Sequence, residues 1–326
     1  MRPGKRGVTL SERRLEGKVA VVTGAGHGIG RCEALALAEQ GARIVVADFG
    51  TGSDGAKLAE VVANEINAAG CAAVASTEDI SCSEGARKSI ELAVDEFGGL
   101  DILVNNAGMR GGNPVNLLTD EQWDLVVGTH LKATFLTIKH AVPHLRARGG
   151  GTIINTGSEA GLGMPFNSAY SAAKEGVAGL TRSVAREQGR FNIRTNMIRP
   201  RATGGAVGGG DWFQKNLAGT WKPLLDRLGR FWIGERGAAR WDKPASPASI
   251  AALVTWLCTP AAAHINGQDF FVGGEEVALL TPPAFSGALF REGDWTLDAL
   301  DACAPSLTGH LIDHFKVENP FPDGDW

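Results

Sequence analysis

The feature that most constrains this chain is the glycine loop Thr23-Gly24-Ala25-Gly26-His27-Gly28-Ile29-Gly30. It joins a β-branched run, Lys18 to Thr23, to a helical apolar pattern through Ala34, Leu35, Leu37 and Ala38 that stops at Gly41. Glycine lets a backbone turn sharply and lie against a pyrophosphate, and the helix N-terminus behind it offers amide donors and a favourable dipole. Many glycine turns only pack a helix on a sheet, so context decides. Arg43 to Asp48 follows as a second buried strand, and Asp48 stands 18 residues past Gly30. A carboxylate there can accept both ribose hydroxyls of NAD and would repel the 2′-phosphate of NADP. Gly24, Gly28, Ile29, Gly30 and Asp48 are therefore read as a grip for NAD.

The rhythm after the loop is regular. Residues 56–69 and 84–97 read as helices, with a short strand at 72–76 between them. Asp101 to Asn105 is a strand, and a long helix over about 120–147 must bend or end at Pro143. Gly151 to Thr156 and Ile193 to Ile198 are strands around a helix at 168–189. Alternating strands and helices give parallel βαβ units, hence an α/β fold with a doubly wound parallel sheet of the Rossmann type. Its ligand site lies at the carboxyl ends of the strands. After Pro200 the rhythm breaks. Residues 201–246 carry Trp212, Trp221, Trp232 and Trp241 among glycines and mixed charge. They read as a substrate lid inserted into a single domain at 17–274, with oligomer packing as the alternative. Residues 1–16 form a basic arm, and 275–326 a C-terminal extension with a short helical stretch near 297–302.

Composition excludes some partners. A net charge of −4 offers no global attraction for nucleic acid or an anionic membrane, and no apolar run approaches a bilayer span. The five cysteines form no CxxC pair, so a reducing cytoplasmic setting is expected. His140 with His144, and His310 with His314, have metal-ligand spacing but no evident third ligand, so no metal is expected.

The chemistry concentrates near residue 170. Tyr170 and Lys174 are four apart on a helix and share a face. A phenol of pKa ~10 is a poor base at neutral pH. A neighbouring ammonium favours the phenolate, which can then exchange a proton with an alcohol or carbonyl oxygen. Tyr170 is the only tyrosine in the chain.

TGAGHGIG, Asn105-Asn106-Ala107-Gly108 and Tyr170-Ser171-Ala172-Ala173-Lys174 together resemble the short-chain dehydrogenase/reductase family, in its order and on its elements. The stretches VVADFG and WDLVVGTHLKATF also resemble the dehydrogenase part of peroxisomal multifunctional β-oxidation enzymes and their bacterial relatives. The resemblance implies that Ser158 hydrogen-bonds the substrate oxygen. Ser158 lies 12 residues before Tyr170, one short of the family spacing, so Gly157 competes for that slot by count. His130 stands where most relatives carry an asparagine. It either holds a relay water, titrates itself, or is structural. The resemblance further implies that Asp79 and Ile80 flank the adenine. Asn106, Ala107 and Gly108 would wall the cleft, and Pro200 and Thr203 would face the nicotinamide. Arg201 replaces the usual glycine after that proline, which leaves Thr203 open.

The expected function is reversible, NAD-dependent oxidation of a bulky secondary alcohol to its ketone: a steroid, terpenoid, aryl alcohol or 3-hydroxyacyl-CoA. Tyr170, Lys174, Ser158 and His130 are the expected catalytic set, in a homodimer or homotetramer. The rival is a catalytically silent dinucleotide sensor on the same fold, since fold does not imply activity.

Overall fold

The computed structural model describes residues 13–109, 113, 115–202 and 246–311. Eight strands form one sheet: β1 Val19–Thr23, β2 Arg43–Ala47, β3 Ala73–Ser76, β4 Ile102–Asn105, β5 Gly151–Thr156, β6 Ile193–Arg201, β7 Asp269–Gly273 and β8 Glu276–Leu279. Their spatial order is β3-β2-β1-β4-β5-β6-β7-β8. All pair in parallel except β8, which runs antiparallel to β7. The first three strands wind outward from β1, and the chain then returns to place β4 on its other side. The crevice between β1 and β4 is thus the topological switch point, where doubly wound sheets bind ligands.

Parallel strands covered on both faces read as continuous apolar runs with period-two alternation inside them. Ala20, Val22, Ile44, Val46, Ile102, Val104, Ile154 and Ile198 face one core. Val19, Val21, Val45, Leu103 and Ile153 face the other. The first core is covered by α1 Gly28–Glu39, α2 Leu58–Ala68 and, later in the chain, α7 Pro247–Cys258. The second lies under α3 Ser83–Phe97, α5 Ala133–Ala147 and α6 Ser168–Gln188. Each fully buried aliphatic side chain contributes roughly 1.5–3 kcal/mol, so the sheet is held firmly behind its ligand edge.

Three local features differ from the sequence expectation. The long helix is divided, but not by Pro143, which lies inside α5 without ending it. The break is a π-helical turn, Gly128–Lys132, following α4 Asp120–Val127. The sheet also continues beyond residue 274 through β8, and the last helix, α8 Leu297–Thr308, is longer than expected and buries no side chain. Among the described residues, no helix is long and apolar enough to cross a membrane.

Candidate active site

The glycine loop owes its shape to three close approaches. Gly24 has φ +62°, and a Cβ on it would stand 2.7 Å from Ala107 Cα. A Cβ on Gly30 would stand 2.3 Å from the Gly24 carbonyl oxygen, and one on Gly26 would reach 2.5 Å from Leu58 Cβ. Gly28 is different: φ is +56° and the space where a Cβ would stand is open. The N-cap of α1, His27, makes no side-chain capping bond, so the first-turn amides face this open space uncapped. That is the arrangement a dinucleotide phosphate requires. Ile29 is half-buried against the core behind it.

Asp48 closes the cradle. Its Oδ2 accepts the Gly26 N–H at 2.9 Å and its Oδ1 accepts the Gly50 N–H at 2.8 Å, while His27 Nδ1 lies 3.7 Å from Oδ2. Burial works to raise this carboxyl, but His27 and the two amides outweigh it and hold Asp48 below its ordinary value. Oδ1, bonded to the Gly50 amide, keeps a lone pair that can accept from a ribose hydroxyl.

The opposite wall is the Asn106–Gly108 segment. Asn106 Nδ2 donates to the carbonyls of Thr23 and Gly24, both at 3.1 Å, and its backbone N–H donates to Thr23 Oγ1. Ile80 is buried with Ala86, Ala133 and Leu136, and Ala107 packs against that group. Asp79 is exposed, and its Oδ1 accepts the Ser81 N–H at 2.9 Å. Asn105 is structural: its Nδ2 donates to Asn155 Oδ1 at 2.9 Å, and its Oδ1 accepts the Thr137 hydroxyl at 2.6 Å.

Tyr170, Lys174 and His130 come together beside β5. Lys174 is 3% exposed, and its Nζ donates to the Thr156 carbonyl at 2.6 Å. Nζ lies 5.6 Å from the Tyr170 ring centre. Burial pushes Lys174 down to about 7, so its charge titrates in the neutral range. The His130 ring meets the Tyr170 ring edge-on, 4.9 Å between centres. His130 Nε2 lies 2.8 Å from the Met109 carbonyl and 3.1 Å from its amide, and Nδ1 is buried with no hydrogen-bond partner among the described residues. Burial and then the Lys174 charge hold His130 well below the ordinary histidine range, so the ring is neutral at pH 7. The π-helical turn carries His130 into this position, and such turns are frequent at functional sites. Gly108 makes room, since a Cβ there would stand 2.4 Å from His130 Cε1.

Ser158 follows the end of β5. Its Oγ accepts the Ala160 N–H at 3.1 Å, capping a short 3-10 turn, Glu159–Leu162. Ser171, beside Tyr170, donates to the Ala160 carbonyl at 2.6 Å, which ties this turn to α6. A Cβ on Gly157 would stand 2.8 Å from Met197 Sδ and Cε, the far end of a flexible side chain. Of the two residues competing by count, Ser158 is the one that carries a hydroxyl. The shortened loop is accommodated by left-handed backbone at Gly163 (φ +107°) and at Phe166 (φ +62°).

Pro200 is the penultimate residue of β6, beside Val272 of β7. Thr203 and the tryptophan-rich segment lie outside the described residues, as does His314. His140 Nε2 pairs with Ser83 Oγ at 3.1 Å. Two groups were missed at the sequence level. Arg199, 1% exposed, contacts Asp269, Glu175 and the Ser158 carbonyl. Arg201 forms a bidentate pair with Glu159, one residue past Ser158. The available signal was an arginine inside an internal strand, which demands carboxylate partners.

Comparison with known proteins agrees with this geometry. The family model described as short chain dehydrogenase matches residues 18–210. Hydroxyacyl-CoA dehydrogenase ChsB1 of Mycobacterium tuberculosis is 37% identical over 321 residues, which is 96% of this chain and 93% of that protein. The peroxisomal multifunctional enzyme type 2 of Mus musculus is 33% identical over 86% of this chain, but the match spans only 35% of that longer enzyme. A crystal structure of a short chain dehydrogenase from Mycobacterium avium superposes with a TM-score of 0.74 at 34% identity, covering 91% of this chain and 96% of that one. The chain belongs to the short-chain dehydrogenase family, and it is an oxidoreductase on that family's Rossmann-type sheet. Dehydrogenases of this family typically use NAD or NADP.

Proposed function

We propose that this protein interconverts a bulky secondary alcohol and its ketone with NAD, and that the first substrate class to test is a 3-hydroxyacyl-CoA. The observation that carries the reading is Lys174, buried between the Thr156 carbonyl and the Tyr170 ring beside the end of β5. A lysine is rarely so buried without a task, and perturbed groups in clefts mark functional sites.

The uncapped start of α1 and the open space over Gly28 would hold the pyrophosphate, Asp48 the adenosine ribose, and Lys174 the nicotinamide ribose. When bound, the nicotinamide ring supplies the hydride acceptor or donor. Ser158 donates to the substrate oxygen and holds it where charge develops. Tyr170 takes the hydroxyl proton during oxidation and returns one during reduction. Lys174, when charged, favours the phenolate of that cycle. His130 stays neutral, and its Nδ1, without a hydrogen-bond partner among the described residues, is the ring atom left for a relay water.

The thioester class rests on the hydroxyacyl-CoA and multifunctional relatives. A cytoplasmic setting is part of the reading and fits the five free cysteines. Assembly as a homodimer or homotetramer fits α8, whose Leu297 and Leu300 are exposed.

The test follows NADH absorbance with NAD or NADP against a panel of 3-hydroxyacyl-CoA thioesters, polycyclic and aryl secondary alcohols, and ethanol-sized alcohols. Turnover of a bulky member with NAD is expected. NAD binding without turnover across the panel would establish the silent sensor instead.

A further inference from the structure

We infer that Arg199 is a positioning residue for the reaction: it holds Ser158 in place through the Ser158 backbone carbonyl. This rests on the reading of Ser158 as the donor to the substrate oxygen.

The arrangement begins with a problem of chain length. Tyr170 lies only 12 positions after Ser158, and the intervening loop turns through left-handed backbone at Gly163 and Phe166. A bulky residue in that conformation costs of order 1–2 kcal/mol, so the loop needs external ties to keep one geometry. Ser158 itself has extended backbone, φ −164° and ψ 152°. Its Oγ is tied on one side by the Ala160 N–H. On the other side Arg199 Nη1 donates to its carbonyl at 2.7 Å. With both groups tied, the position of the Ser158 backbone and Oγ is held while the O–H remains able to turn to a substrate oxygen.

The guanidinium is itself fixed from two elements. Its Nε donates to Asp269 of β7 at 2.8 and 3.1 Å. Its Nη2 donates to Glu175 at 3.1 and 3.2 Å, one residue past Lys174 on α6. Arg199 is thus one planar group joining β7, the loop after β5 and the helix that carries Tyr170 and Lys174. Arginine suits this task because its donors are held in a rigid fork, which lysine lacks. The chain also leaves space for it: a Cβ on Gly161 would stand 3.0 Å from Arg199 Nη1 and 3.0 Å from Glu175 Oε2. The next inward-facing arginine repeats the pattern, since Arg201 holds Glu159 at 2.8 Å. Stability alone does not require this. Buried ion pairs are often replaceable by apolar residues at no loss, and their best-supported use is to specify one geometry.

The test is a double-mutant cycle of Arg199→Lys with Ser158→Ala. Lysine keeps the charge, but one ammonium cannot serve Asp269, Glu175 and the Ser158 carbonyl together. Arg199→Lys is expected to lower kcat roughly tenfold while leaving NADH affinity, read by fluorescence titration, within about twofold. In the Ser158→Ala background the same change should lower kcat by less than about twofold, because the group being positioned is gone. Equal losses in both backgrounds, or a parallel loss of NADH affinity, would show a general structural role and overturn the inference. If Ser158→Ala is itself neutral, the reading of Ser158 fails, and this inference fails with it. A large Ser158→Ala loss with strict additivity sinks this inference alone. Should Arg199→Lys fail to fold, Glu175→Gln serves in the same cycle. Glu175 is half-exposed, and its loss frees one side of the guanidinium. The same non-additivity is expected, and its absence would be equally decisive.

Discussion

The β1–β2 side of the switch point and the β4–β7 side offer different materials to a ligand. On the first side the contacts are backbone: Gly24, Gly26 and Gly28 shape the loop, and the uncapped amides of α1 face open space. Asp48 is a side chain at the ligand edge there, and it is fixed by amides of the same loop and turn. On the second side the contacts are side chains that share partners. Asn105, Asn155, Thr137 and Thr181 form a buried hydrogen-bonded chain. Lys174 and His130 flank Tyr170, and Arg199 joins three elements. Backbone sites bind what many sequences can bind, while shared side-chain sites do chemistry and lose it when one member goes. Substitutions on the first side should therefore change cofactor affinity and choice, and substitutions on the second should change turnover.

The largest effect, and the most direct way to break that division, is Tyr170→Phe. The ring stays, so its edge-on contact with His130 and its packing with Val126 and Ala173 survive. General acid–base catalysis contributes roughly 10²–10⁴-fold, and kcat should fall by at least that much. NADH affinity should stay within about twofold, and the unfolding temperature should hold. A stopped-flow rate and a fluorescence titration on one sample check both. A variant that turned over normally, or one that lost NADH binding as much as rate, would erase the distinction between the two sides.

The two sides also differed in how far they could be read from sequence. The backbone side was legible because glycine spacing is itself the signal. Gly24, Gly28, Gly30 and Asp48 all lie at the cradle, and the alternation of Ala20 and Val22 against Val19 and Val21 follows from period two. The pair Tyr170 and Lys174 was legible because one helical turn separates them. The rest depended on contacts distant in sequence. Nothing local announces that Gly108 must make room for His130, or that a π-helical turn, rather than Pro143, interrupts the α4–α5 segment. Arg201, read as a missing glycine, proved to belong to an ion pair 42 residues away in sequence. The strand β8 was missed because its four residues alternate weakly and lie past the last parallel crossover.

Cofactor choice gives a smaller and sharper test. Asp48→Asn keeps one oxygen for the Gly26 or Gly50 amide but removes the charge. A hydrogen bond to a charged group is worth about 1.5–3 kcal/mol, so NAD affinity should fall by roughly one to two powers of ten. The repulsion of a 2′-phosphate disappears at the same time, and the gap between NAD and NADP in kcat/KM should narrow. The kcat at saturating cofactor should change little, because the chemistry lies on the other side of β1. Equal use of both cofactors by the unaltered protein would remove Asp48 from this role.

The smallest expected effect concerns stability, where the two sides bury charge in opposite ways. Arg199 is fully buried and paired with two carboxylates and a carbonyl. Glu33, on α1 of the other side, is equally buried, yet neither carboxylate oxygen has a hydrogen-bond partner among the described residues. Burial alone pushes Glu33 up from an ordinary 4.5 to about 8, so it folds as the neutral acid near pH 7. The unfolded chain releases that proton near the ordinary value. Between those two pH values the folded state binds the proton and the unfolded state does not, so stability falls as pH rises. The contribution is whole below about 4.5 and is lost as pH passes about 8. Glu33→Gln removes the titration while keeping the shape. The variant and the parent should melt together near pH 4, and the variant should melt higher at pH 8 to 9. The gain should be roughly 2–4 °C for each kcal/mol recovered. Turnover should not change, since Glu33 faces α7 and the core rather than the cleft. Thermal melts of both proteins across that range decide the matter: a constant difference in melting temperature from acid to alkali would mean that Glu33 finds a partner and carries its charge inside the fold.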